Sequence, residues 1–276
     1  MILLDSFLGR LAQSPAVWVA VQSTQGSVPR EAGAWMAVFA DGTVGTIGGG
    51  RLELDAIAEA RGMLGAGAGA GAEGPAIRRY ALGPSLGQCC GGAVVLAYER
   101  VAAHDIPRLR QRLRAARTPV ALFGGGHVGT ALVRALAPLP FDLTWIDSRD
   151  GIFPPGISSG VACEHSDPVH GAVPGLAPGS RVLVMSFSHA EDLDIVAACL
   201  ARRRARDDIP FLGLIGSRTK WATFRHRLEA RGFAADELDR VTCPIGVPGI
   251  AGKEPEVIAV AVAAQLLQTR PGAGQG

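Results

Sequence analysis

The stretch "FGGGHVGTALVRAL", residues 123–136, limits the possible folds more than any other part of the chain. It sets Gly124, Gly126 and Gly129 in a G-x-G-x-x-G spacing, directly after the apolar run "VALFG" and at the head of an amphipathic helical pattern. In that context the first glycine permits a tight turn, the second lets backbone amides approach a phosphate, and the third lets helix and strand pack closely. The first amides of the helix and its macrodipole favour an anion. The next apolar run, "DLTWID", ends in Asp147, where a carboxylate is suited to ribose hydroxyls. The candidate cofactor-binding set is therefore Gly124, Gly125, Gly126, His127, Gly129 and Asp147. It is suited to a nucleotide such as NAD(P) or to a phosphate. Glycines serving only to pack a doubly wound domain are the bland alternative.

The surrounding pattern agrees with that context. The apolar runs "VALFG", "DLTWID", "RVLVMSF" and "FLGLIG" alternate with helical patterns beginning at His127, Glu191, Thr219 and Glu254. Near-continuous apolar strands that alternate with helices predict a parallel sheet covered on both faces. The reading for residues 119–270 is a Rossmann-like doubly wound domain, with a basic linker helix over 106–118.

Residues 1–105 read differently, as a mixed α/β domain. Leu3, Leu4, Phe7, Leu8 and Leu11 repeat at helical spacing. "AVWVAVQST", "AWMAVFA" and "TVGTI" read as strands, the last two joined by the Asp41-Gly42 hairpin turn. "GGGRLELDAIAEARGML" reads as a glycine-rich turn entering a helix, and the Gly/Ala tract that follows as a flexible connection. Gly48, Gly49 and Gly50 exceed what a packed strand needs and suggest backbone pressed against a ligand or another chain. Arg30 and Arg51 are candidates to hold phosphate or carboxylate.

Between the strands "IRRYALG" and "GAVVLAYERV" lies "LGQCCGG", which puts Cys89 and Cys90 side by side on a loop. Adjacent Cα atoms are about 3.8 Å apart, whereas ordinary disulfides span roughly 4.4–6.8 Å. A bridge between the two would be strained and easily reduced. The pair can also be two small packed residues, a soft-ligand site or a reversible thiol sensor. Loops favour chemistry over mere packing.

Other motifs carry balanced readings. His189 stands beside Glu191, Asp192 and Asp194, which suits either a metal or an ordinary acidic first helical turn. Ser148 and Arg149 follow Asp147 in a turn, and the arginine is within reach of a ribose phosphate. Gly216, Ser217, Arg218 and Lys220 form either a second anion site or a capped helix start. Lys253 precedes a long apolar helix, and Cys243 reads as a small turn residue.

The 276 residues carry a net charge of only +2, which argues against a nucleic-acid partner. No run approaches the roughly 18 apolar residues of a membrane span, and the first residues do not read as a leader. Five cysteines, with only one adjacent pair, do not form a secreted disulfide framework. The expectation is a cytoplasmic protein with reduced thiols.

Together and in order, "GSVPREAGAWM", "GTIGGGRLE", "LGPSLGQCCGG", "FGGGHVG", "GLIGSRTKWATF" and "CPIGVPGIAGKEPEVIAVAVAAQLL" resemble the XdhC/CoxI family of xanthine dehydrogenase accessory proteins. The resemblance covers nearly the whole chain; the Gly/Ala tract at residues 65–74 departs from it as an insertion. It implies a molybdenum-cofactor (Mo-molybdopterin) chaperone rather than a turnover enzyme. Such a protein holds the cofactor while a cysteine desulfurase supplies its sulfur, then delivers it to the molybdenum subunit of xanthine dehydrogenase. Cofactor binding then falls on the cysteine segment, with Cys89 and Cys90 as molybdenum ligands, and self-association into a homo-oligomer is expected. A NAD(P)-dependent oxidoreductase working from the second domain is the alternative.

Overall fold

The computed structural model describes residues 2–65, 74–82, 91–115, 117–157 and 160–270. The chain divides into two compact units, Leu3–Leu113 and Arg114–Gly276, the first two residues grouping with the latter.

The N-terminal unit begins with α1 (Ile2–Leu11), followed by strands β1 (Ala16–Gln25), β2 (Trp35–Phe39) and β3 (Gly42–Gly45). Helix α2 (Gly50–Gly65), strands β4 (Ala76–Ala81) and β5 (Ala93–Val101), and α3 (Ile106–Ala115) complete it. The five strands form an antiparallel sheet in the order β3-β2-β1-β5-β4. Over its first six residues central β1 alternates its side chains between two apolar layers, so both faces are buried there. Val17, Val19 and Val21 meet Leu52, Ala56 and Ala60 of α2. Ala16, Trp18 and Ala20 meet Phe7 and Leu11 of α1 and Leu109 of α3. The arginine-rich α3 thus buries Leu109 against the sheet while Arg108, Arg110 and Arg112 are exposed.

The C-terminal unit runs β6 (Thr118–Phe123), α4 (His127–Leu136), β7 (Phe141–Asp147), β8 (Val161–His165) and β9 (Arg181–Val184). It continues through α5 (His189–Arg206), β10 (Phe211–Leu214), α6 (Arg218–Ala230), α7 (Ala235–Asp239), β11 (Val241–Thr242) and α8 (Pro255–Gln268). All six strands are parallel, in the order β11-β10-β9-β6-β7-β8. One face carries α5 and α6 over Val182, Val184 and Leu212. The other carries α4 and α8 over Val120, Leu122 and Leu183. This is the doubly wound arrangement expected from the alternation of runs. Its strand order reverses between β6 and β9, and the crevice outside their carboxyl ends is where such sheets bind ligands.

Three elements were not legible in the pattern. Strand β8 lies at the sheet edge with four of its five residues exposed, β11 has two residues and α7 five. Among the described residues no helix is long and apolar enough to cross a membrane.

Candidate functional site

The glycines after β6 do three different things. Gly124 has φ +120°, and a Cβ there would lie 2.0 Å from the Met185 carbonyl oxygen at the end of β9. A Cβ at Gly129 would lie 2.1 Å from the Gly124 carbonyl oxygen. Both positions are glycine because backbone presses on them. The same Gly124 oxygen accepts a hydrogen bond of 2.9 Å from the Trp145 indole N–H, which fixes the turn to β7. Gly126, by contrast, caps α4 without a side-chain hydrogen bond, and a Cβ there meets nothing. Gly126 and His127 are exposed, so the first turn of α4 opens to solvent.

Gly125 and Asp147 form one unit. The Gly125 amide donates to Asp147 Oδ2 at 2.5 Å. The Arg149 amide and Nε donate to Oδ1 and its Nη2 to Oδ2, each at 2.9 Å. Burial alone would raise the Asp147 pKa, but the bonds from Arg149 and the Gly125 amide outweigh it and hold the carboxyl below its ordinary value. Both oxygens expected to face a ribose are engaged within the protein. The Arg149 guanidinium lies 4.7 Å from the ring centre of Phe187, an aromatic side chain 68% exposed at the same edge. Ser148 donates to Glu191 at 2.6 Å.

On the far side of the switch point lies a pair the sequence reading missed. Asp192, only 2% exposed, accepts from the Ser186 amide at 2.8 Å and its hydroxyl at 2.7 Å. Its second oxygen accepts from Lys220 Nζ at 2.6 Å, and Lys220 also donates to the Ile215 carbonyl at 2.9 Å. A Cβ at Gly216 would lie 2.6 Å from Lys220 Cδ, so this glycine clears the slot for the lysine stem. The spacing "IGSRTK" carried the signal, but the acidic partner is 28 residues away in sequence.

These bonds account for much of the acidic run near His189, whose ring packs edge-on against Phe224. No group of three His, Cys, Asp or Glu side chains able to hold a metal occurs among the described residues. Helices α5 and α6 are capped by the hydroxyls of Ser188 and Ser217. Arg218 and Lys253 are exposed. Cys243 packs against the α5–α6 core, and burial pushes its thiol pKa up to about 11.

In the N-terminal unit three glycine-rich turns meet at one end of the sheet. The turn after β3 is organised by Glu53, whose Oε2 accepts from Thr46 Oγ1 at 2.6 Å and the amides of Ile47 and Gly49 at 2.9 and 3.1 Å. Gly48, at φ +122°, lies so close to Pro29 that a Cβ would stand 2.4 Å from the proline Cβ. Gly92 lies against the loop after β1, where a Cβ would be 2.4 Å from the Ser27 oxygen and 2.5 Å from that of Gln25. The Leu82 amide donates to the Gly92 carbonyl at 2.7 Å, which closes the base of the loop between β4 and β5. Cys89 and Cys90 belong to that loop and lie outside the described residues. The arginines expected to bind anions are paired: Arg30 with Glu31 at 3.6 Å and Arg51 with Asp55 at 2.9 Å.

Behind these turns the Tyr80 hydroxyl donates to Glu59 at 2.9 Å and lies 2.6 Å from that of buried Tyr98. Burial raises both tyrosine pKa values, so the pair remains neutral and ties α2 to the β4–β5 end of the sheet.

The chain is similar along almost all its length to known proteins. The model of the XdhC Rossmann domain matches residues 120–266, and that of the XdhC and CoxI family matches residues 10–80. It is 29% identical over 264 residues to the uncharacterized protein YqeB of Escherichia coli, covering 95% of this chain but 45% of that protein. The chain thus spans less than half the length of that curated relative. A solved structure described as a xanthine dehydrogenase from Bacillus halodurans superposes with a TM-score of 0.75 at 19% identity, covering 99% of this chain and 98% of that one. At that identity the likeness shows the fold. The Rossmann-domain match extends over more than half of the chain, and on it the protein belongs to the XdhC/CoxI family.

Proposed function

We propose that the chain acts in the maturation of xanthine dehydrogenase, as a carrier of the molybdenum cofactor. It holds the cofactor while a cysteine desulfurase supplies the terminal sulfur ligand, then delivers it to the molybdenum subunit of the apoenzyme. Family membership supports a maturation role. The observation that carries the finer reading is the meeting of three glycine-rich turns at the base of the cysteine loop, around Gly26, Gly48 and Gly92. Tightly packed turns of that kind hold a loop end in place without side chains of their own.

The donor chemistry fits. Thiolates are soft ligands and suit a molybdenum centre that carries oxo and dithiolene ligands. Cys89 and Cys90 are the proposed ligands, one of them free to relay sulfur. When bound, the cofactor supplies the redox centre of the recipient enzyme; this chain's own residues bind, orient and shelter it.

For the C-terminal crevice we propose a phosphate-bearing ligand, taken by the uncapped first turn of α4 at Gly126 and His127. The competing reading, an NAD(P)-dependent oxidoreductase, needs a free carboxylate at the end of β7 if the dinucleotide is NAD, and an arginine such as Arg149 if it is NADP. Asp147 is bound there by Gly125 and Arg149, which favours the phosphate reading.

A transfer assay tests the proposal. The chain loaded anaerobically with molybdenum cofactor is expected to activate cofactor-free xanthine dehydrogenase faster than an equal amount of free cofactor does. Equal rates, or dinucleotide-dependent turnover by the chain alone, would contradict it.

A further inference from the structure

A cleft in the C-terminal unit, away from the crevice at the strand ends, has the form of a small-molecule site. It encloses about 300 Å³ between α4 and residues 154–157. That volume is at the lower end of the range, about 300–1,000 Å³, typical of ligand pockets. Val133, Ala137, Pro155 and Ile157 wall it, and the Trp145 indole, only 1% exposed and packed edge-on against Phe153, lies beneath them. No acidic side chain lines it.

The polar groups around the cleft are unevenly used. The Trp145 N–H is engaged by the Gly124 carbonyl and the Thr130 hydroxyl by the Gly126 carbonyl, at 2.9 and 3.1 Å. Arg134, exposed at the rim, has no hydrogen bond or ion pair among the described residues. The prolines that line the cleft offer no N–H. A guanidinium with no partner among the described residues, beside an apolar wall, matches a ligand with an apolar body and one carboxylate, which arginine holds bidentately. One cation neutralises one charge, so a monoanion fits better than a strongly hydrated phosphate dianion.

We propose that this cleft binds a small apolar carboxylate, with its apolar body against Val133, Ala137 and Ile157 and its anionic end on Arg134. The inference does not depend on the carrier reading.

The test uses the full chain and two probes of equal shape, 2-naphthoate and the uncharged 2-naphthamide. Binding is followed through the indole N–H resonance of Trp145, identified among the four tryptophans with Trp145→Phe. Naphthoate is expected to shift that resonance saturably and to bind at least about tenfold more tightly than the amide, as for a charge-assisted bond. Arg134→Gln should bring naphthoate to the level of the amide and leave the amide unchanged. Ala137→Leu, which fills the cleft, should block both while the other three indole resonances keep their positions. Equal affinity for the two probes, naphthoate binding that survives Arg134→Gln, or no saturable shift in the folded wild type would each overturn the proposal.

Discussion

Asp147 shows how one residue can fit a motif and still do a different job. Its position after β7 matches a ribose acceptor, yet its carboxylate clamps the glycine turn through Gly125 and anchors Arg149. The folded pKa lies below the ordinary carboxylate value. The stability this contributes is therefore complete above about pH 4 and is lost as the pH falls through the folded value. Asp147→Asn is expected to cost about 1–3 kcal/mol at neutral pH and to flatten the acid side of the stability profile, read by thermal denaturation across pH. An unchanged profile would show that the clamp carries no stability. The Lys220–Asp192 pair is more deeply buried, with side-chain exposures of 13% and 3%. Lys220→Met leaves a buried carboxylate alone and should cost about 3–5 kcal/mol. Adding Asp192→Asn should restore part of that, because the amide oxygen still accepts from Ser186. A double variant no better than the single one would contradict the pairing.

At the scale of elements, glycines that share a motif are not equivalent. Gly129→Ala puts a methyl 2.1 Å from the Gly124 oxygen and forces α4 away from the turn. We expect it to unfold or severely weaken the C-terminal unit, as seen by loss of amide protection in β6 and α4. Gly126→Ala has open space and an ordinary φ of −72°, and should cost less than about 1 kcal/mol. Similar costs for the two would contradict the packing role of Gly129. The G-x-G-x-x-G spacing was legible because turn, strand and helix all left local signals. The Lys220–Asp192 pair was not, since the partners come from different helices and only the fold brings them together. Strand β8 escaped because an edge strand with exposed Cys163, Glu164 and His165 lacks the apolar run that marks buried strands. The short α7 and β11 are held by tertiary packing, with Leu238 and Val241 in the α5–α6 core.

At the scale of the whole molecule, each unit has its own two apolar layers. Most strands of both sheets were readable from their apolar runs, while Cys89 and Cys90 lie outside the described residues. What the pattern did not show was that loops some 65 residues apart, around Gly26 and Gly92, lock together by backbone contact. Gly92→Ala tests that lock. A methyl 2.4 Å from the Ser27 oxygen should displace the base of the cysteine loop and abolish cofactor retention while leaving the C-terminal unit folded.

Anaerobic binding of free molybdenum cofactor to the purified chain tests the central claim most directly. Bound cofactor is measured by oxidising it to its fluorescent pterin derivative, with Cys89→Ala and Cys90→Ala run beside the wild type. The carrier account predicts stoichiometric binding that at least one of the two substitutions abolishes. A folded wild type that retains no cofactor, or binding indifferent to both cysteines, would contradict it.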